Sequence, residues 1–172
     1  KLMHIQTGVG KTKSAFYLTK KILEEKPDFV LNIGTAGTIA HHIGDIFVAI
    51  HFIDRDYETI QLPGIKYEIS GKELIASHSL LNEWISAYHK SGVCSTGDTF
   101  VTEVSSLSGD FVDMEAFAQA YVCKELGVPF LSVKYITDII GENSVEHWEN
   151  KLADARKALS EWFAENKLLS II

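Results

Sequence analysis

The sequence predicts an α/β fold, one domain in which a parallel or mixed β-sheet is flanked by α-helices. Three observations carry that prediction. Short runs of β-branched and large apolar residues alternate with stretches of helical period. The 172 residues suit one domain, long enough to bury roughly 70% of the unfolded surface. No internal repeat, low-complexity tract or linker interrupts the chain, so a single domain is expected to span 1–172.

Each element follows from local pattern. Residues 2–6 read as a strand, and 11–25 as a helix with Ala15, Leu18, Ile22 and Leu23 on one face, ended by Pro27-Asp28. Residues 29–33 form a nearly continuous apolar run, expected to be a central strand covered on both sides and to end in the turn Gly34-Thr35-Ala36-Gly37. Residues 46–53 are another strand. The polar stretch 54–70, with the turn Gln61-Leu62-Pro63-Gly64, reads as an excursion between strands rather than a helix. Gly71 is expected to precede a helix that runs to about His89, then a short strand over 93–95. A strand over 111–114 runs directly into a helix over 115–126, stopped by Gly127-Val128-Pro129, and 130–136 is a second strongly apolar strand. The closing helix carries Val145, Trp148, Leu152, Ala155, Leu159 and Trp162 at alternating spacings of three and four, a core-facing stripe.

Composition narrows the function classes. Hydrophobic residues make up 46% and charged residues 23%, which excludes disordered, collagen-like and coiled-coil chains. The net charge of −7 argues against a nucleic-acid groove, which needs a basic stripe. No apolar run reaches the ~18 residues that cross a bilayer, and no signal-peptide pattern is present, so a cytoplasmic protein without membrane contact is expected. Cys94 and Cys123 are far apart and suggest neither a disulfide framework nor a zinc site. His41 and His42 are adjacent and suit neither chelation nor a triad, so no metal or cofactor is expected. The chain opens at Lys1 in a strand-like run without an initiator Met, and a preceding segment is expected to be missing.

Four motifs bear on chemistry. Thr7-Gly8-Val9-Gly10-Lys11-Thr12 shares its end with a phosphate-binding P-loop, but the glycine required five residues before Gly10 is Ile5, so a tight strand-to-helix turn is the expected reading. Gly34-Thr35-Ala36-Gly37 is either a ligand-approaching strand end or only a turn. Asp113 and Glu115 leave the core together, and on residue type alone they read as helix N-terminal acids. Asp138 ends an apolar strand, where it is either a desolvated general acid or an N-cap.

In order along the chain, Thr7-Gly8-Val9-Gly10-Lys11, Asn32-Ile33-Gly34-Thr35-Ala36-Gly37 with Gly44-Asp45-Ile46, and Gln61-Leu62-Pro63-Gly64 are joined by three further motifs. These are Thr96-Gly97-Asp98-Thr99-Phe100, Val112-Asp113-Met114-Glu115-Ala116, and Val128-Pro129-Phe130 running to Thr137-Asp138. The set resembles the nucleoside phosphorylase and nucleosidase superfamily, most closely the bacterial methylthioadenosine/adenosylhomocysteine nucleosidases. The resemblance implies a twisted mixed sheet surrounded by helices, and cleavage of the N-glycosidic bond of a purine nucleoside. It implies Asp138 as the acid at the purine N7 and Glu115 as the carboxylate holding the ribose. Met114 would lie against the ribose, Phe100 would stack on the purine and the Val101 backbone would bond the base edge. Thr35, Ala36 and Gly37 would line the sugar and nucleophile side, and Asp113 and Thr137 accompany Glu115 and Asp138 in the binding set. Trp148 is either an aromatic lid over the 5′ substituent or core at its helical spacing.

The resemblance further implies a homodimer, with a small-molecule nucleoside as the only other partner. Departures qualify it. Hexameric purine nucleoside phosphorylases carry an arginine where Asn32 stands, so a phosphate clamp is not expected. Lys134 replaces an arginine before the acid, and Ile139-Ile140-Gly141 replaces an acidic residue after it. Family members begin earlier, with a strand and a loop bearing the water-activating glutamate, which residues 1–10 do not replace.

Overall fold

A computed structural model describes residues 2–104, 108–142 and 144–172, with residue 144 described in its backbone alone. Helix α1 (Lys11–Glu25) starts at Gly10, whose φ of 97° suits glycine, and stops at Lys26 in the left-handed region. Its buried face is Ser14, Leu18 and Ile22, whereas Leu23 is 62% exposed. The expected stripe is therefore narrower and rotated. Residues 2–7 form no strand, because no sheet strand lies beside them; Ile5 alone packs against the core.

Strand β1 (Val30–Thr38) does not turn at Gly34 but continues through Gly37, held in parallel register by strand β6 (Phe130–Ile139) from Val30↔Phe130 to Thr38↔Ile139. Strand β2 (Ile46–Asp54) is followed by a short helix α2 (Arg55–Ile60) and strand β3 (Glu68–Ser70), so the 54–70 excursion contains both a helix and a strand. The Asp54 side chain explains the helix by accepting the N–H groups of Asp56 and Tyr57. The helix expected over 71–89 is broken into α3 (Gly71–Leu74) and α4 (Ser79–Ala87). Strands β4 (Ser91–Thr96) and β5 (Phe111–Asp113), helix α5 (Ala116–Leu126) and helix α6 (Ser144–Asn166) complete the chain.

The strand order is β3-β2-β4-β5-β1-β6, and β2 also pairs with β6, so five strands close on themselves while β3 extends from β2. Parallel pairs β1–β6, β2–β4 and β4–β5 coexist with antiparallel β1–β5, β2–β3 and β2–β6, making the sheet mixed. Two apolar layers enclose it. Leu18 and Ile22 of α1 and Phe117, Ala120 and Cys123 of α5 pack with Phe52, Phe111, Phe130 and Ile136. Leu81 and Ile85 of α4 and Ala155, Leu159 and Trp162 of α6 pack with Val48, Leu131 and Val133. Successive residues of β6 thus serve opposite layers, which is why its sequence is apolar throughout. The α6 stripe reaches the core only at its C-terminal half: Val145 is 49% exposed.

Candidate active site

Asp138 lies within β6, next to the strand's last residue, and not at a helix start; the N-cap alternative is excluded. Between Ala36↔Ile136 and Gly37↔Asp138 the register skips Thr137, a bulge that re-aims the carboxylate that follows it. The Thr137 hydroxyl donates to Asp138 Oδ1 at 2.8 Å, and only 3% of Asp138 is exposed. The carboxylate lies against the β1 backbone, since a Cβ added at Gly37 would sit 2.6 Å from Asp138 Oδ2. Glycine at this position admits the acid.

Strand β5 meets β1 antiparallel at Gly37↔Val112, which carries the chain leaving β5 back toward Thr35 and Gly34. There Glu115 Oε1 accepts the Gly10 N–H at 2.9 Å, and the Lys11 N–H donates to Asp98 Oδ1 at 2.7 Å. The glycine-rich turn opens a helix as expected, but its N-terminal N–H groups hold two side-chain carboxylates. Burial pushes the Glu115 carboxyl above its usual range, with Lys134 and the Gly10 and Met114 N–H groups opposing and Asp113 reinforcing the rise. Glu115 and Met114 are both half-buried.

Asp113 is held in a buried ion pair. Its carboxylate accepts from the Thr96 hydroxyl and from the Ala116 N–H at 2.8 Å, and pairs with Lys134 Nζ at 2.8 Å, with side-chain exposures of 1% and 2%. Burial disfavours both charges, yet each partner outweighs it: Asp113 is held below the usual carboxylate range and Lys134 above its own. Lys134, where the resemblance leads one to expect an arginine, is thus the buried counter-ion of Asp113. Ala36 and Thr137 are likewise turned inward, Ala36 into the α1-side core and Thr137 fully buried.

The Trp148 indole N–H donates to Thr35 Oγ1 at 3.1 Å. The Trp148 ring meets Phe100 edge-on, with centroids 6.2 Å apart. Phe100 is 38% exposed, and Val101 beside it is half-buried. Tertiary contacts therefore gather Thr35, Phe100 and Trp148 at one mouth, and Trp148 is not part of the core stripe.

Sequence reasoning missed several supporting groups. Lys11 Nζ bridges Asp54 and Asp56 at 2.9 and 2.7 Å, tying the start of α1 to that of α2. Arg55 is buried and donates to four backbone carbonyls around the site. The Asp54-Arg55-Asp56 triplet at the end of an apolar strand was the available signal. Asn32 accepts from the Ser132 hydroxyl at 2.7 Å, a neutral cross-strand bond where a phosphate clamp would need a cation.

Comparison with known proteins agrees with this geometry. The sequence profile of the phosphorylase superfamily matches residues 2–165. The chain is 31% identical over 170 residues to the 5′-methylthioadenosine/S-adenosylhomocysteine nucleosidase of Bacillus subtilis, covering 88% of this chain and 74% of that protein. Among solved structures, the corresponding nucleosidase of Colwellia psychrerythraea in complex with adenine superposes with a TM-score of 0.75 at 28% identity, over 96% of this chain and 76% of that one. A futalosine hydrolase mutant of Helicobacter pylori gives 0.75 at 25% identity, over 93% and 77%.

Proposed function

The chain belongs to the phosphorylase superfamily, and from that premise we propose that it is a purine nucleosidase that hydrolyses the N-glycosidic bond of methylthioadenosine, adenosylhomocysteine or a related nucleoside. The observation that carries the reading is the Asp138 carboxylate, buried on a bulged strand end and seated against Gly37.

A purine leaves poorly as an anion, so an acid must share a proton with N7 as the bond to the sugar lengthens. Asp138 takes that role. The ribosyl group becomes cationic as the purine departs, and Glu115 binds its hydroxyls, orienting the sugar and stabilising the developing charge. Phe100 stacks on the purine, the Val101 backbone bonds its edge, Met114 lies against the ribose, and Trp148 covers the 5′ substituent. Thr35 and the β1 backbone at Ala36 and Gly37 line the sugar side. Asp113 and Thr137 act from beneath, through Lys134 and Asp138 respectively. The relatives include both methylthioadenosine/adenosylhomocysteine nucleosidases and a futalosine hydrolase, so the 5′ substituent is assigned only as far as a group that meets Trp148.

The deciding measurement is adenine release from methylthioadenosine. Asp138→Asn should abolish it without unfolding the protein, and normal turnover by that variant would overturn the assignment. Turnover that requires phosphate would instead indicate a phosphorylase, against the neutral Asn32. Nucleoside binding by calorimetry with no base released would indicate a silent binder. We also propose a homodimer, supported by Phe16 and Leu23 of α1, each 62% exposed, and Tyr121 of α5, 52% exposed; a monomeric sedimentation coefficient would contradict it.

A further inference from the structure

Arg55 sits at the first turn of α2, with only 7% of its surface exposed. No side-chain carboxylate is bonded to its guanidinium among the described contacts; the hydrogen bonds go to main-chain carbonyls. Nη1 donates to Ser95 O and Asp113 O, both at 2.8 Å, while Nη2 donates to Gly97 O at 3.2 Å and Thr99 O at 2.5 Å. Burying a guanidinium is costly unless its donors are satisfied, and a rigid planar fork can satisfy several at fixed relative positions. The carbonyls come from the two segments that must agree for a nucleoside to bind. Thr99 precedes Phe100, assigned above to the base, and Asp113 precedes Met114 and Glu115, assigned above to the ribose.

Room for the fork is also built in. A Cβ added at Gly97 would lie 2.8 Å from Arg55 Cζ and Nε and from Asp56 Oδ1. Gly97 N–H bonds Asp113 O at 3.2 Å, so the loop and β5 are joined directly at the same carbonyl that Arg55 holds. The nearby Asp113 and Asp56 carboxylates supply the opposing charge without occupying the fork.

We propose that Arg55 is a positioning residue that sets the spacing between the base-binding loop carrying Phe100 and Val101 and the ribose-binding junction at Met114-Glu115. The inference rests on the nucleosidase reading above. It assigns to Arg55 a role that neither touches substrate nor donates a proton: ground-state and transition-state binding both depend on the spacing, whereas protonation by Asp138 does not.

The experiment compares wild-type, Arg55→Met, Arg55→Lys and Gly97→Ala proteins by methylthioadenosine turnover, adenine titration calorimetry and thermal melting. Arg55→Met should raise KM and the adenine Kd by about tenfold or more, the scale of a lost charge-assisted hydrogen bond, with kcat within about threefold. Arg55→Lys should not restore them, because an ammonium cannot span the separated carbonyls. Gly97→Ala, which keeps Arg55 but displaces its fork, should shift KM and Kd in the same direction, and it carries the test if Arg55→Met fails to fold. Folded variants that keep the wild-type KM and adenine Kd, or that lose kcat alone, would overturn the proposal. Adenine binding by a wild-type protein that releases no adenine would remove the nucleosidase reading while leaving the Kd comparison to decide the role of Arg55. A wild-type protein that does not bind adenine would overturn both.

Discussion

The indole N–H of Trp148 on α6 reaches across to the hydroxyl of Thr35 on β1 at 3.1 Å, joining residues 113 positions apart in the chain. In the site we propose, this bond and the Phe100 ring edge against it set the place of the 5′ substituent. Trp148→Ala should raise KM for methylthioadenosine about tenfold while changing KM for adenosine, which lacks the thioalkyl group, much less. Trp148→Phe, which keeps a ring against Phe100 but loses the N–H to Thr35, should recover only part of the difference. Equal KM values for wild type and Trp148→Ala on the thioalkyl substrate would remove Trp148 from the site.

The contact between Gly37 and Asp138 makes a sharper demand. Gly37→Ala would place a methyl 2.6 Å from the carboxylate, so either the acid moves or β1 does. A displacement on the order of 1 Å should lower kcat about 100-fold, with a melting temperature well above that of a core cavity variant. Steady-state kinetics beside calorimetric melting would show it; unimpaired kcat would mean that Asp138 is not the acid.

The buried Lys134–Asp113 pair should reveal itself in stability. Lys134→Met leaves a carboxylate in the core without its cation and should cost about 3–5 kcal/mol by urea unfolding. Replacing both partners, as Lys134→Met with Asp113→Leu, should recover much of that loss. The pH dependence has a definite sign. Because Asp113 is held below its usual range in the fold, its contribution is fully present above the ordinary value of 3.8 and is lost as pH falls below it. Lys134, raised in the fold, contributes fully below 10.5 and loses that contribution as pH climbs past its folded value.

Glu115 predicts the opposite displacement, in activity. Burial raises its carboxyl above the ordinary 4.5, and the ribose contact we propose uses its ionised form. As pH falls through that raised value, kcat/KM should decline earlier than an exposed glutamate would allow. Glu115→Gln should flatten this acid limb and lower kcat/KM at neutral pH by about 100-fold. An unchanged acid limb in the variant would assign the titration to another group.

Much of the frame was legible in the chain itself. Residues 29–33, 46–53 and 130–136 read as strands from their apolar runs; the last two are covered on both faces, whereas the first is only partly covered, with Ile33 48% exposed. Helices α1, α5 and α6 followed from their apolar period and their stops. Errors arose where a ladder rather than local propensity decided. Gly34 to Gly37 reads as a turn, yet nine registered positions of β1 lie beside β6 and hold those glycines extended. Residues 2–6 read as a strand, yet with no neighbour to pair with they form none.

The sequence by itself determined the α/β class, the order of the elements and the positions of Asp138 and Glu115 at element junctions, because period, turn residues and motif order are local properties. Tertiary structure alone decided which polar residues face the site. Asp113 and Thr137 share motifs with Glu115 and Asp138, yet Asp113 is taken up by the Lys134 ion pair and the Thr137 hydroxyl by Asp138. Arg55, within a polar stretch that reads as an excursion, closes around four distant carbonyls. The physical reason is that a strand's alternation, a bulge's extra residue and a guanidinium's reach are settled by the neighbours across the sheet, and those neighbours lie tens of residues away in the chain.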